Sequence, residues 1–205
     1  VNLLNRIASD MYYVNSDSIE PYASQAYKLA SDINYPEGIA EAFNNLGIYY
    51  RSKGIYNEAI DYFFNSLQIM ENLNDVNGIA RSYNLIGILH YFLENYDLSL
   101  DYYLKALEIN KAQNDKQWIA GNSNNVGMIY ELRGEYNKAL DYYVLSLQMN
   151  TELGLVNWAA NNLGNIGSLY LKINDPLSLE FFQKRLHLKE GIGDEEGISR
   201  SNFLI

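Results

Sequence analysis

The chain of 205 residues carries 15 Lys and Arg against 25 Asp and Glu, for a formal net charge of −10, and is 48% hydrophobic. That composition belongs to a globular chain and excludes a disordered one. An acidic balance without a basic run argues against nucleic acid and anionic membrane surfaces as partners, and the absence of cysteine excludes disulfides and thiolate chemistry.

Apolar residues recur at steps of three and four along the chain, which predicts helices. Helix pairs are expected at roughly 1–33, 37–73, 77–113, 117–153 and 157–190, with a lone half-unit at 195–205. In the second pair, Ile39, Ala40, Phe43, Leu46, Gly47 and Tyr50 form one apolar stripe, and Ala59, Ile60, Phe63, Ser66, Leu67 and Met70 form the next. Between them Gly54 ends a helix, and Asn57 is expected to cap the one that follows. Asp97 and Asn137 share that capping column. Asp75, Asp115 and Asp194 are expected to cap the first helices of later units, and Asp175 precedes Pro176 at another helix start. The longest charge-free stretch, Leu153 to Leu171, holds four asparagines and three glycines, so it reads as repeat rather than membrane span.

A period of 40 runs through these pairs. Gly47, Gly87, Gly127 and Gly167 keep it, as do Ala40, Ala80, Ala120 and Ala160, and Tyr62, Tyr102 and Tyr142. The period shortens by one residue around Asn174-Asp175-Pro176. Repeats are placed at 1–36, 37–76, 77–116, 117–156 and 157–194, with a partial unit at 195–205, as one domain over 1–205. The start at Val1 and the apolar end at Ile205 suggest a piece of a longer protein. Since one pair cannot cover its own apolar stripe, stacking into a solenoid is expected. The glycine column would let the first helix approach its partner, with Ala59, Ser99, Ala139 and Ser178 as the small residues opposite. A large side chain at Gly127 should then cost more than one at Gly191 or Gly193.

The run Phe43, Leu46, Gly47, Tyr50, Ala59, Phe63 and Ser66, repeated as Tyr83, Ile86, Gly87, His90, Ser99, Tyr103 and Ala106, resembles the tetratricopeptide repeat family. Ser123 and Arg185 are the poor fits. The proline that closes the family's shorter repeat is replaced by Glu71, Lys111, Thr151 and Glu190, so the resemblance is to its 40-residue subclass. It implies an all-α, right-handed superhelix of about five helix pairs plus one partial helix. That subclass includes kinesin light chains, polarity scaffolds and bacterial regulators. The phrasing is similar to repeat domains fused to bacterial histidine kinases, nucleotide cyclases or helix-turn-helix outputs. The implied function is a non-enzymatic module that binds a protein or extended peptide in a concave groove, as the sensory or scaffold part of a signalling protein. The alternative is an oligomerisation element acting through its ends.

No catalytic constellation assembles. His90 stands in a tyrosine column and reads as a core ring, and His187 falls on a solvated face. No metal site and no cofactor are expected. Groove candidates lie on the free stripe of the first helices: Asn45, Arg81, Ile88, Trp118, Asn125, Met128, Trp158, Asn161 and Asn165, flanked by Asn44, Asn84 and Asn124. Asparagine amides both donate and accept, so a column of them suits a peptide backbone. The carboxylate clamp of chaperone cofactors wants Lys or Arg where Asn44 and Asn84 stand, and that pattern is missing. Trp118 and Trp158 could flank a common pocket, or each could cover the loop behind it. Ile198, Phe203, Leu204 and Ile205 form the apolar side of the half-unit and are expected to drive self-association or fraying.

Overall fold

The computed structural model describes residues 1–204, apart from the side chains of Tyr13 and Leu204. Among these residues are eleven α-helices and no strand. They are α1 (Asn2–Asp10), α2 (Ile19–Asp32), α3 (Pro36–Ser52), α4 (Tyr56–Leu73), α5 (Val76–Phe92), α6 (Tyr96–Ala112), α7 (Lys116–Leu132), α8 (Tyr136–Glu152), α9 (Val156–Lys172), α10 (Leu177–Gly191) and α11 (Glu195–Leu204). Two compact units divide the chain, Val1–Ile109 and Asn110–Ile205. In the first, consecutive helices pack from α1 to α5, and α3 also touches α1 and α5. In the second, α7 to α11 pack in sequence. The helices therefore fall into the expected pairs.

One device ends every helix from α2 to α10. Asn34, Gly54, Asn74, Glu94, Asn114, Gly134, Gly154, Asn174 and Gly193 all adopt left-handed φ, between 51° and 74°. The next residue's N–H returns to a carbonyl five residues earlier, as in Ile55 to Tyr50, Asp115 to Asn110 and Asp175 to Tyr170, at 2.9–3.0 Å. This closure satisfies carbonyls that a helix end leaves orphaned. The chain then enters the next helix almost at once. Hence Tyr56 and Tyr136 open their helices, with Ile55 and Glu135 at the cap and no side-chain bond there. The expected caps Asn57 and Asn137, and Asp97 in α6, lie instead inside the first turn, because the helices start two residues earlier than assumed. The aspartate caps hold: Asp75 accepts from the Asn77 and Gly78 amides at 3.1 Å, Asp115 from Trp118 at 3.1 Å, and Asp194 from Gly197 at 2.9 Å.

Glu94 is the one position of this series that is neither glycine nor asparagine. A left-handed conformation costs an ordinary side chain about 1–2 kcal/mol. Glu94→Gly is therefore expected to raise the unfolding free energy by about 1 kcal/mol, read from urea midpoints. No gain would show that the turn relaxes freely around Glu94.

The glycine column is a packing contact, with a different partner from the one expected. A Cβ at Gly47 would stand 2.4 Å from the Phe63 ring, and at Gly127 2.8 Å from the Tyr143 ring. Gly87 faces Tyr103 and Gly167 faces Phe182 in the same way. The aromatic four residues beyond the small column fills the glycine notch, because a helical side chain leans back one turn toward its own N-terminus. The small residues serve the backbone: Ser99 Oγ donates to the Gly87 carbonyl at 2.8 Å. A second ring column stacks beside the first, with Tyr50 on Tyr62, Tyr130 on Tyr142 and Tyr170 on Phe181 at centroid distances of 5.3–5.6 Å.

His90 takes the tyrosine's place in that column, 5.7 Å from the Tyr102 centroid and 3° from parallel. It is buried, and burial holds its pKa below the ordinary histidine range. The unfolded chain thus takes up the proton more readily, so this ring costs stability as pH falls through about 6.5, the unfolded value. His90→Tyr should lose less stability between pH 7 and pH 5 than the wild type, by thermal unfolding at both values. An equal loss would place the acid sensitivity elsewhere.

The last full pair absorbs the sequence's poor fit by exchange. Arg185 occupies the column of Ser66, Ala106 and Ser146, and Gly164 replaces the asparagine of the facing column. A Cβ at Gly164 would lie 3.2 Å from Arg185 Cδ. On α11, Phe203 is 90% exposed and Ile198 is half-buried, while the side chain of Leu204 and all of Ile205 lie outside the described residues.

Candidate peptide-binding face

The two units treat the asparagine columns differently. In the first, Asn44 and Asn45 are 1% and 2% exposed and Asn84 is buried. These three residues are therefore interior groups rather than open groove surface. The cause is α1 lying along α3: Asn45 Nδ2 donates to the Asn5 carbonyl, and Asn5 Nδ2 to the Gly38 carbonyl, both at 3.0 Å. Asn84 lies on α5 where that helix meets α3 and α4. Asn45 and Asn5 thus hold α3 to α1 through bonds that would be costly to leave unmade. Arg81 and Ile88 remain half-buried.

In the second unit the stripe stays open. Along α7, Trp118 is 39% exposed, Gly121 is exposed, and Asn125 and Met128 are half-buried. Along α9, Trp158 is 64% exposed, Asn161 is exposed and Asn165 is half-buried. Side chains tie the two helices together. Asn124 Oδ1 accepts from Asn162 Nδ2 at 3.2 Å and from Asn165 Nδ2 at 3.0 Å, and Asn162 Oδ1 accepts from buried Asn150 at 2.7 Å. At the far end Glu131 accepts from Lys172 and from the Tyr143 hydroxyl, each at 2.6 Å. Five of the expected residues, Trp118, Asn125, Trp158, Asn161 and Asn165, thus share a polar-aromatic face of α7 and α9, with Met128 between them. Part of Asn124's capacity is spent inside the protein.

The sequence reading missed Asn150 and Asn162. Both stand at positions with mixed occupants elsewhere, and only the pairing of α8 with α9 joins them. A separate cleft of about 650 Å³ between α8, α9 and α10 is lined by Leu147, Leu163, Lys184 and His187. His187 lines this open cleft and is itself exposed, in keeping with a solvated face. Among the described residues no three His, Asp or Glu side chains cluster as metal ligands, and no helix is long and apolar enough to cross a membrane.

Comparison with known proteins fits this architecture. The tetratricopeptide repeat family model matches residues 38–112. No curated protein matches the chain in sequence. Among solved structures, RapI in its apo form superposes with a TM-score of 0.84 at 20% identity, over 99% of this chain and 75% of that one. BtubC from P. vanneervenii gives 0.82 at 18% identity, over 93% and 82%. A Rap protein complexed with Competence and Sporulation Factor gives 0.71 at 16% identity, over 97% and 60%. At these identities the likeness concerns the fold. The family model on residues 38–112, and the same helix pair, glycine notch and ring stack continuing to Phe182, support a tetratricopeptide repeat protein.

Proposed function

We propose that the chain is a non-enzymatic module that binds an extended peptide or protein segment on the α7–α9 face, as the sensory or scaffold part of a bacterial signalling protein. The observation that carries this is the exposure of Trp118 and Trp158 on adjacent first helices, beside Asn125, Asn161 and Asn165. Tryptophan contributes large contact area with a polar handle, and is enriched where binding energy concentrates. The asparagine amides supply donors and acceptors for a peptide backbone without selecting side chains. The signalling role rests on the likeness to the Rap protein solved with Competence and Sporulation Factor, of whose length the chain spans 60%.

Selection of a phage-displayed library of linear dodecapeptides against the chain tests the reading. Enriched peptides should bind one-to-one by calorimetry and compete with one another. Failure to enrich any sequence over a Trp118→Ala, Trp158→Ala variant would contradict it. Phe203 favours a second reading, self-association through α11, since a phenylalanine 90% exposed on a helix end invites a partner. In that case Phe203→Ser abolishes concentration-dependent sedimentation and leaves peptide binding alone.

A further inference from the structure

Arg51 stands in the last turn of α3, half-buried, and no carboxylate pairs with it among the described residues. The ionisable groups around it are tyrosines, namely Tyr12, Tyr56 and Tyr103. Its guanidinium carbon lies 5.8 Å from the centroid of the Tyr12 ring and 5.4 Å from that of Phe92. Both distances are within cation–π range, and both rings are more than two-fifths exposed, at 42% and 51%.

Ring faces and hydroxyl dipoles do not neutralise a charge. Burial pulls the Arg51 pKa down, yet a guanidinium does not give up its proton in a protein. Two repeats further on, the same column is compensated: Glu131 meets Lys172 and the Tyr143 hydroxyl at 2.6 Å each. Elsewhere Lys53 is held by Asp17, and Lys189, the most buried cation, by Asp194. Charges withdrawn from water are ordinarily paired. Arg51 has its stacking partners in place and lacks its counter-ion. Arg51 is hydrogen-bonded to the Tyr12 side chain, and the rest of its five N–H donors remain for a carboxylate, which a guanidinium grips through two parallel bonds.

We infer that Arg51, seated on Tyr12 and Phe92, is a binding site for a carboxylate carried by a peptide ligand. This rests on the reading of the chain as a peptide-binding module and gives a ligand of the first unit its chemistry: an acidic side chain or a free C-terminus. In a chain of net charge −10 the site is a local positive point in an acidic field, where added salt screens both the attraction to Arg51 and the repulsion around it.

The test follows the arginine side-chain N–H resonances of the isotope-labelled chain. The probes are acetyl-Gly-Gly-Glu-Gly-Gly-amide, acetyl-pentaglycine with a free C-terminus, its amide-blocked form, and inorganic phosphate. The Arg51 resonance should shift and saturate with at least one carboxylate peptide. The glutamate peptide reports a side-chain carboxylate and free pentaglycine a C-terminal one, while the blocked peptide should leave it unmoved. Arg51→Gln should weaken that binding about tenfold or more, as loss of a charge-assisted bond implies, and Arg51→Lys should restore only part of it. Should Arg51→Gln fail to fold, the wild-type resonance still decides. Silence toward both carboxylate peptides overturns the inference, as does an equal response to the blocked peptide, parallel movement of exposed Arg6 and Arg200, or a response to phosphate alone. Tryptophan emission, recorded with a library-selected peptide, reads the α7–α9 face separately, so the two readings fail independently.

Discussion

Gly127→Leu is expected to lower the unfolding free energy by about 3 kcal/mol, the upper end of ordinary overpacking. A Cβ there already stands 2.8 Å from two atoms of the Tyr143 ring and 3.2 Å from the Ala139 carbonyl oxygen. Tyr143 is 2% exposed and its hydroxyl is tied to Glu131 at 2.6 Å, so the ring cannot swing aside without breaking that bond. The proper control is Gly191, which has nothing within 4 Å and a helical backbone. Gly191→Ala should be neutral or gain up to about 1 kcal/mol of helix propensity. Gly193, expected from the sequence to cost less than Gly127, should do so by a smaller margin: its φ of +68° makes any side chain costly by about 1–2 kcal/mol. Urea denaturation of the three variants measures this order. Equal losses at Gly127 and Gly191 would show that the ring in the notch is not a constraint.

The second large effect concerns binding. Trp118→Ala with Trp158→Ala is expected to reduce affinity for a library-selected peptide by at least about thirtyfold, or ~2 kcal/mol, a moderate loss for two hot-spot aromatics. Helicity should not change, because both rings stand out of the core at 39% and 64% exposure. The backbone N–H of Trp118, which Asp115 caps, survives the substitution. Calorimetry with the same peptide reads the loss. Full affinity in the double variant would return both rings to covering their neighbouring loops.

The period of 40, the glycine column and the ring at His90 were legible in the sequence because each is a repeated demand on one position. A notch tolerates only glycine, and a stacked ring tolerates only a planar residue. The helix ends were half legible. Gly54 and Gly134 announce themselves, whereas Asn34, Asn74, Asn114 and Asn174 at the same left-handed φ read as ordinary polar residues until the 20-residue spacing is seen. Asn44, Asn45 and Asn84 show where periodicity stops. A first helix touches other helices on several sides, so adjacent positions that look equally polar divide into buried and open ones by fractions of a turn. Arg51 gave no sequence signal, since its column reads Arg51, Tyr91, Glu131 and Leu171, and Ser52 interrupts the column of its partners Tyr12 and Phe92.

The most direct measurement of the binding face is intrinsic fluorescence, because Trp118 and Trp158 are the chain's two tryptophans. Titration with a tryptophan-free library-selected peptide should shift the emission to shorter wavelength and protect it from acrylamide, saturating at one equivalent. Emission and quenching that stay unchanged while calorimetry records full binding would place the ligand away from α7 and α9 and contradict the account.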